Sequence, residues 1–195
     1  MSAALWSGSF GDAYTDRNRV EWEKRIPFWR DVMGKTRALR AFEVGCGSGW
    51  NMRAIKSIAP KCWVRGIDVN KDAIYEAMAA GLDVYRMAAS NMSRLAAFDL
   101  VFTAGCLIHI PPADLEAVMR AIIAASQEYV LAIEYEADVE TTVEYRGHKD
   151  ALWKRPYGGI YRDYGLQIFK YWPNIGREQG FDDCAAWLLR KPKSD

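Results

Sequence analysis

The chain has 195 residues, 50% of them hydrophobic, with eight Trp, ten Tyr and seven Phe, so it can bury the core of one ordinary domain and is not a disordered chain. Lys and Arg total 26 against 25 Asp and Glu, a formal charge of +1 with no basic block, which argues against a duplex-binding face. The four cysteines, Cys46, Cys62, Cys106 and Cys184, form no C-x-x-C pair and only two histidines accompany them, so a zinc site is not expected, and thiols packed in apolar runs suit a reducing, cytoplasmic compartment.

The first residues, MSAALWSGSF, carry no cationic start and no long apolar run, so neither a signal peptide nor a membrane anchor is expected. Next comes FGDAYTDRN, where Thr15 or Asp16 is placed to cap a following helix. Residues 16–33 read as that helix, with Val20, Trp22, Ile26 and Trp29 near helical spacing and Pro27 kinking or splitting it. ALRAFEV (38–44) reads as a first strand and 49–58 as a helix that stops before Pro60. CWVRGIDV (62–69) is a second strand; Asn70 caps a helix over 71–80, which Gly81 ends. LDVYRMAA (82–89) and FDLVFTAG (98–105) are the third and fourth strands. A proline-opened helix (111–126) and a fifth strand, EYVLAIEY (128–135), complete the alternation.

Alternating strand and helix predict an α/β fold: a doubly wound, mostly parallel seven-stranded sheet with helices on both faces. LQIFKYWP and CAAWLLRK supply the last two strands, pairing antiparallel at the C-terminal edge. One domain spans 1–195: an N-terminal helical lid (1–37), a core (38–135), a substrate-side insert of unassigned structure (136–164) and the C-terminal strands (165–195).

The segment AFEVGCGSGW raises the functional question. Gly45, Gly47 and Gly49 follow the first strand, where a doubly wound sheet binds its ligands, and bare glycines admit a ligand close to the backbone. The spacing is G-x-G-x-G, which is neither the dinucleotide G-x-G-x-x-G nor a P-loop. Glu43 would repel a pyrophosphate and suits a cationic group, whereas Asp68, ending the second strand, can hold both ribose hydroxyls. A nucleoside with a positively charged tail fits both carboxylates, and S-adenosylmethionine has that pattern.

FEVGCGSG with GIDV, followed by FDLVFTAGCLIHIPP, resembles the cofactor half of the class I, Rossmann-like S-adenosylmethionine-dependent methyltransferases over residues 38–135. The resemblance implies that Glu43, Gly45, Gly47 and Gly49 hold the methionine part, Asp68 the ribose, and Ser90 or Asn91 the adenine edge, with Thr103 at the cofactor-facing end of the fourth strand. In that family an acidic residue more commonly follows the third strand, and this chain departs from it there. GSFGDAYTDRN, LIHI, EYRGHKDALWKR and DDCAAWLLRK together resemble the pseudaminic acid biosynthesis-associated methylases across almost the whole chain.

A methyltransferase needs a positioned acceptor, and a base only where that acceptor starts protonated. His109, just past the fourth strand, reads either as that base or as a cap on the helix that follows. His148 reads as a lid residue or as part of a solvated loop; Glu134 as a carboxylate orienting the acceptor or as an arginine's partner. Tyr14, Arg17 and Asn18 can close over the cofactor, and Tyr135, Arg146, Lys154 and Arg155 can clamp the acceptor. The expectation is methyl transfer from S-adenosylmethionine to a hydroxyl, amine or carboxylate of a small polar, sugar- or amino-acid-like metabolite, without metal, membrane or nucleic acid. The alternatives are a protein or RNA methyltransferase, a nicotinamide-dependent oxidoreductase, and a silent cofactor-binding protein. TAGCLIHIPP lacks the D/N-P-P-aromatic motif of DNA amino methylation.

Overall fold

The computed structural model describes residues 2–92 and 97–192. Helices α1 (Ser2–Trp6), α2 (Ser9–Arg17) and α3 (Ile26–Thr36) precede the sheet. Residues 16–33 are therefore not one helix. Asn18 ends α2, its side-chain amide donating to the Tyr14 carbonyl at 2.8 Å, and a short 3₁₀ turn (Trp22–Arg25) leads into α3. Pro27 falls in the first turn of α3, where a missing N–H costs nothing. Thr15 lies inside α2 and donates to the Gly11 carbonyl at 3.2 Å instead of capping a helix.

Five parallel strands follow, with helices between them: β1 (Arg40–Val44), α4 (Trp50–Ile58), β2 (Trp63–Asp68), α5 (Lys71–Ala79), β3 (Asp83–Arg86), β4 (Phe98–Ala104), α6 (Pro112–Ala125) and β5 (Ser126–Glu134). Asn70 caps α5, its side-chain oxygen accepting from the Ala73 amide at 2.8 Å. The insert contains a hairpin, β6 (Thr141–Tyr145) and β7 (His148–Lys154), followed by α7 (Tyr157–Asp163); β8 (Gln167–Ile175) and β9 (Cys184–Arg190) end the fold.

The seven-stranded sheet runs β3-β2-β1-β4-β5-β9-β8, with β9 antiparallel to both β5 and β8. Strand order reverses between β1 and β4, so their carboxyl ends open a crevice. Both faces of the sheet are covered, which is why its central strands are apolar throughout. One face buries Trp29, Ile55, Leu100, Phe102 and Leu131; the other buries Phe42, Val101, Met119, Ile122 and Val130. At about 1.5–3 kcal/mol for each large apolar side chain, these two layers fix the strand ends that carry the site. No helix among the described residues is long and apolar enough to cross a membrane.

Candidate active site

The loop from β1 to α4 occupies the crevice. Gly45, Gly47 and Gly49 all have positive φ, +73°, +51° and +79°, which strongly favours glycine. The loop is pinned from both sides: the Gly45 and Cys46 amides donate to the Ile67 carbonyl at 2.8 and 2.9 Å, and a β-carbon on Gly45 would lie 2.5 Å from the Cys106 sulfur. Around Gly47 the corresponding space is open. A cavity of about 220 Å³ lies over the loop, reaching Glu43, Arg25 and Asp68, then the segment Met87–Ser90, and Ile110, Asp114 and Val118 opposite.

Glu43 is buried under this cavity. Its Oε1 accepts from the Asn51 amide at 2.7 Å, and its Oε2 is buried with no partner. Burial pushes its carboxyl up to about 8, against the Asn51 hydrogen bond and the charge of Arg25, which lower it. Arg25 stands close by: one terminal nitrogen donates to Asn51 Oδ1 at 2.8 Å and Nε to the Gly180 carbonyl at 2.9 Å. Asp68 closes the loop, Oδ2 accepting from the Gly47 amide at 2.9 Å and Oδ1 from Asn70 at 2.8 Å. Burial raises its carboxyl, and these amides oppose the shift.

A second cavity of about 100 Å³ adjoins the first. Tyr14, Asn18, Arg25, Gly105 and His109 line both. Tyr135, Tyr145, Leu152, Asp182 and Cys184 line the second alone. His109 Nδ1 lies 2.6 Å from the Ala151 carbonyl of β7. A carbonyl accepts only, so Nδ1 carries the proton and Nε2 keeps its lone pair. Burial lowers the imidazole to about 4, more than the Ala151 hydrogen bond raises it, so the ring is neutral at pH 7. The Trp6 ring of α1 packs on it with centroids 4.2 Å apart.

The structure thus brings Glu43, Gly45, Gly47, Asp68, Ser90, Tyr14 and His109 onto one cavity wall, with Tyr135 on the adjoining one. Gly49 sits behind the wall as the left-handed start of α4. Others fall elsewhere. Arg17 is exposed and off both cavities; Arg25 is the arginine that enters them. Asn91 is exposed beside Ser90 and does not reach the wall. Thr103 is buried in the sheet beside Glu134 and lines neither cavity. Glu134 orients no acceptor: its oxygens accept the backbone amides of Cys106, Leu107 and Ile108 at 3.1–3.3 Å, so it fastens the turn that carries His109. Burial raises its carboxyl to about 7 despite those bonds.

The insert residues divide in the same way. Arg155 is buried, pairs with Glu140 at 2.6 Å and donates to the Leu107 and Ile110 carbonyls at 3.1 and 3.0 Å. It clamps the hairpin onto the His109 turn and has no face left for an anion. His148 is exposed at the start of β7, its ring 5.0 Å from that of Phe10, and lines neither cavity. Arg146 is exposed at the hairpin tip, and the half-buried Lys154 sits 5.9 Å above the Tyr135 ring. Sequence reasoning missed Arg25, Trp6 and Tyr145. Only Arg25 leaves a trace, as the cation directly before the Ile-Pro start of α3.

Residues 41–128 match the family model described as a methyltransferase domain. The fold matches that of 1,6-didemethyltoxoflavin-N1-methyltransferase from Burkholderia thailandensis, solved with 1,6-didemethyltoxoflavin and S-adenosylhomocysteine bound: TM-score 0.78, 16% identity, covering 98% of this chain and 89% of that one. This chain has the class I methyltransferase fold, with a methyltransferase-domain match over its glycine loop and central strands. Magnesium protoporphyrin IX methyltransferase from Synechocystis, solved with S-adenosylmethionine, matches with TM-score 0.69 and 14% identity over 97% of this chain and 95% of that one. Mitomycin 7-O-methyltransferase matches with TM-score 0.70 and 15% identity over 98% of this chain and 61% of that one. None of the curated proteins matches the chain.

The wall fits S-adenosylmethionine on its own chemistry. The orphaned Glu43 Oε2 suits an ammonium, and Asp68 still has lone pairs for ribose hydroxyls. Among the described residues no group of three or more His, Cys, Asp or Glu side chains could hold a metal. One measurable consequence follows from Glu43. If Glu43 takes the ammonium of S-adenosylhomocysteine it does so ionised, so binding below pH 8 is expected to expel a proton and affinity to rise with pH towards 8. Calorimetry in buffers of different ionisation enthalpy is expected to detect that proton in the wild type and none in Glu43→Gln. At pH 7 folding has to protonate this carboxyl, a cost that glutamine avoids, so the same substitution is expected to stabilise the ligand-free protein by roughly 1–3 kcal/mol in thermal unfolding while weakening ligand binding.

Proposed function

We propose that this protein transfers the methyl group of S-adenosylmethionine to a hydroxyl of a small polar metabolite. The observation that carries the reading is the pair of adjoining cavities with His109 in their common wall. The larger takes the cofactor through Glu43, the glycine loop and Asp68. The smaller is walled by tyrosines, Arg25 and Asp182, and its roughly 100 Å³ admits only a small acceptor group. The solved relatives named above carry small-molecule names, and the resemblance of the chain's ends to pseudaminic acid-associated methylases adds sugar-like acceptors to that class.

When bound, S-adenosylmethionine supplies an electrophilic methyl group on a sulfonium with a good leaving group. The chain's part is to hold, orient and keep dry. His109 Nε2 takes the hydroxyl proton, while Nδ1–H on Ala151 fixes the tautomer. Glu134 and Arg155 set the turn that aims the ring. The N-terminal helices (within 1–37) act as the lid, Trp6 and Tyr14 excluding water over the core (38–135); the hairpin of the insert (136–164) walls the acceptor side, and the C-terminal strands (165–195) close it.

The test is transfer from methyl-labelled S-adenosylmethionine into fractionated cell extract. Label is expected in the small-molecule pool. Label in protein or RNA would instead assign a macromolecular acceptor.

A further inference from the structure

Asn51 stands in the first turn of α4, buried in the wall of the larger cavity. Asparagine near a helix start ordinarily bonds the backbone around it. This one turns inward and ties β1 to the 3₁₀ turn and to α3. Its Nδ2 donates to Glu43 Oε1 at 2.7 Å. Its Oδ1 accepts from a terminal nitrogen of Arg25 at 2.8 Å and from Trp29 Nε1 at 3.1 Å. The partners decide which way the amide points. A guanidinium and an indole only donate, so both require the oxygen; an ionised carboxylate only accepts, so it requires the nitrogen. A flipped amide would set donors against donors and an oxygen against the carboxylate. Trp29 is fully buried, and Arg25 is held a second time by the Gly180 carbonyl, so the amide itself has a rigid mount.

The mount serves one state of Glu43. Oε1 is fixed on Asn51, while Oε2 is buried without a partner. Burial holds the free carboxyl up to about 8, so it must lose a proton to take an ammonium. A hydrogen bond donated to a carboxylate is about twice as strong as one donated to a neutral carboxyl, so the Asn51 amide favours the ionised form. The other charged group that favours it is Arg25, and Asp68 opposes it. The thiols of Cys46 and Cys106, which also sense Glu43, are pushed well above their usual range by burial and stay neutral. We propose that Asn51 is the positioning residue for the cofactor's ammonium: its amide, oriented by Arg25 and Trp29, holds Glu43 Oε1 and leaves Oε2 to the ligand. The inference rests on the methyltransferase reading of the site. A purely structural role, tying α4 to α3, would leave the ionisation of Glu43 independent of Asn51.

The test counts the protons expelled when S-adenosylhomocysteine binds at pH 8, by calorimetry in buffers of different ionisation enthalpy. The wild type is expected to release about half a proton, because Glu43 is about half protonated there before binding and ionised after it. Asn51→Leu removes the donor at similar volume. It is expected to bind about ten- to a hundredfold more weakly and to release about one proton, because Glu43 then starts protonated. Asn51→Asp keeps an acceptor for Arg25 and Trp29 but, ionised, donates nothing to Glu43, so its count is expected to rise to about one as well. Glu43→Gln is expected to release none and sets the baseline for the ligand's own amine. Should the leucine variant fail to fold, the aspartate variant decides. A folded Asn51 variant that binds with the wild-type count overturns the inference, whatever its affinity. A wild type that binds without releasing a proton overturns it too and leaves the methyltransferase reading standing. Failure of the folded wild type to bind S-adenosylhomocysteine overturns both.

Discussion

Replacing Asp68 by alanine is expected to weaken binding of S-adenosylhomocysteine by about 10²–10³-fold, with little change in melting temperature. A hydrogen bond to a charged group is worth about 1.5–3 kcal/mol, and Asp68 can make two with ribose hydroxyls in the proposed complex. It also holds the loop in place, through the Gly47 amide on one oxygen and Asn70 on the other. Losing it costs contacts and preorganisation together. Stability should suffer less. Burial already raises this carboxyl, so the folded protein without ligand holds the charge at a cost that alanine removes. Asp68→Asn keeps the shape and part of the bonding, and is expected to fall between the two. Calorimetry decides the matter: an alanine variant binding within about threefold of the wild type would take Asp68 out of the ribose site.

The sheet was legible because its signals are local. Apolar runs such as DLVF and YVLAI, broken by capping and turn residues, mark the strands without reference to partners. The glycine loop was legible for the same reason: positive φ at three alternate positions leaves its mark in the sequence. The hairpin β6–β7 was not. β6 is largely exposed and β7 buries three residues in a row, Ala151–Trp153, so neither strand alternates clearly, and the two-residue turn, Arg146-Gly147, puts a residue with a side chain at φ +51° where asparagine or aspartate is the usual sign. Glu134 and Arg155 were misread because chemistry-bearing residue types were taken for chemistry. Which amides and carbonyls surround them depends on how the His109 turn folds back, and no spacing encodes that. Arg25 escaped for the converse reason. It stands far ahead of Glu43 in the chain, and only the packing of α3 beside α4 brings them to one cavity.

His109→Ala is expected to lower turnover by about 10²–10⁴-fold, the usual worth of a positioned base, while His148→Ala leaves it unchanged. The two histidines separate on geometry: one lines both cavities with its tautomer fixed at 2.6 Å from Ala151, the other is exposed outside them. The pH profile tests the same assignment. The active form is neutral and its imidazole titrates at about 4, so turnover should rise with pH through 4 and stay flat across the neutral range. An amine acceptor would instead make the rate climb towards the amine's own pKa. His109→Asn separates base from buttress. Its side-chain amide can still donate to the Ala151 carbonyl and hold the turn, but it has no nitrogen lone pair to take a proton. Turnover as low as in the alanine variant, with cofactor affinity kept, identifies a base. Recovery towards the wild-type rate would make His109 a positioning residue and leave the acceptor's deprotonation to solvent.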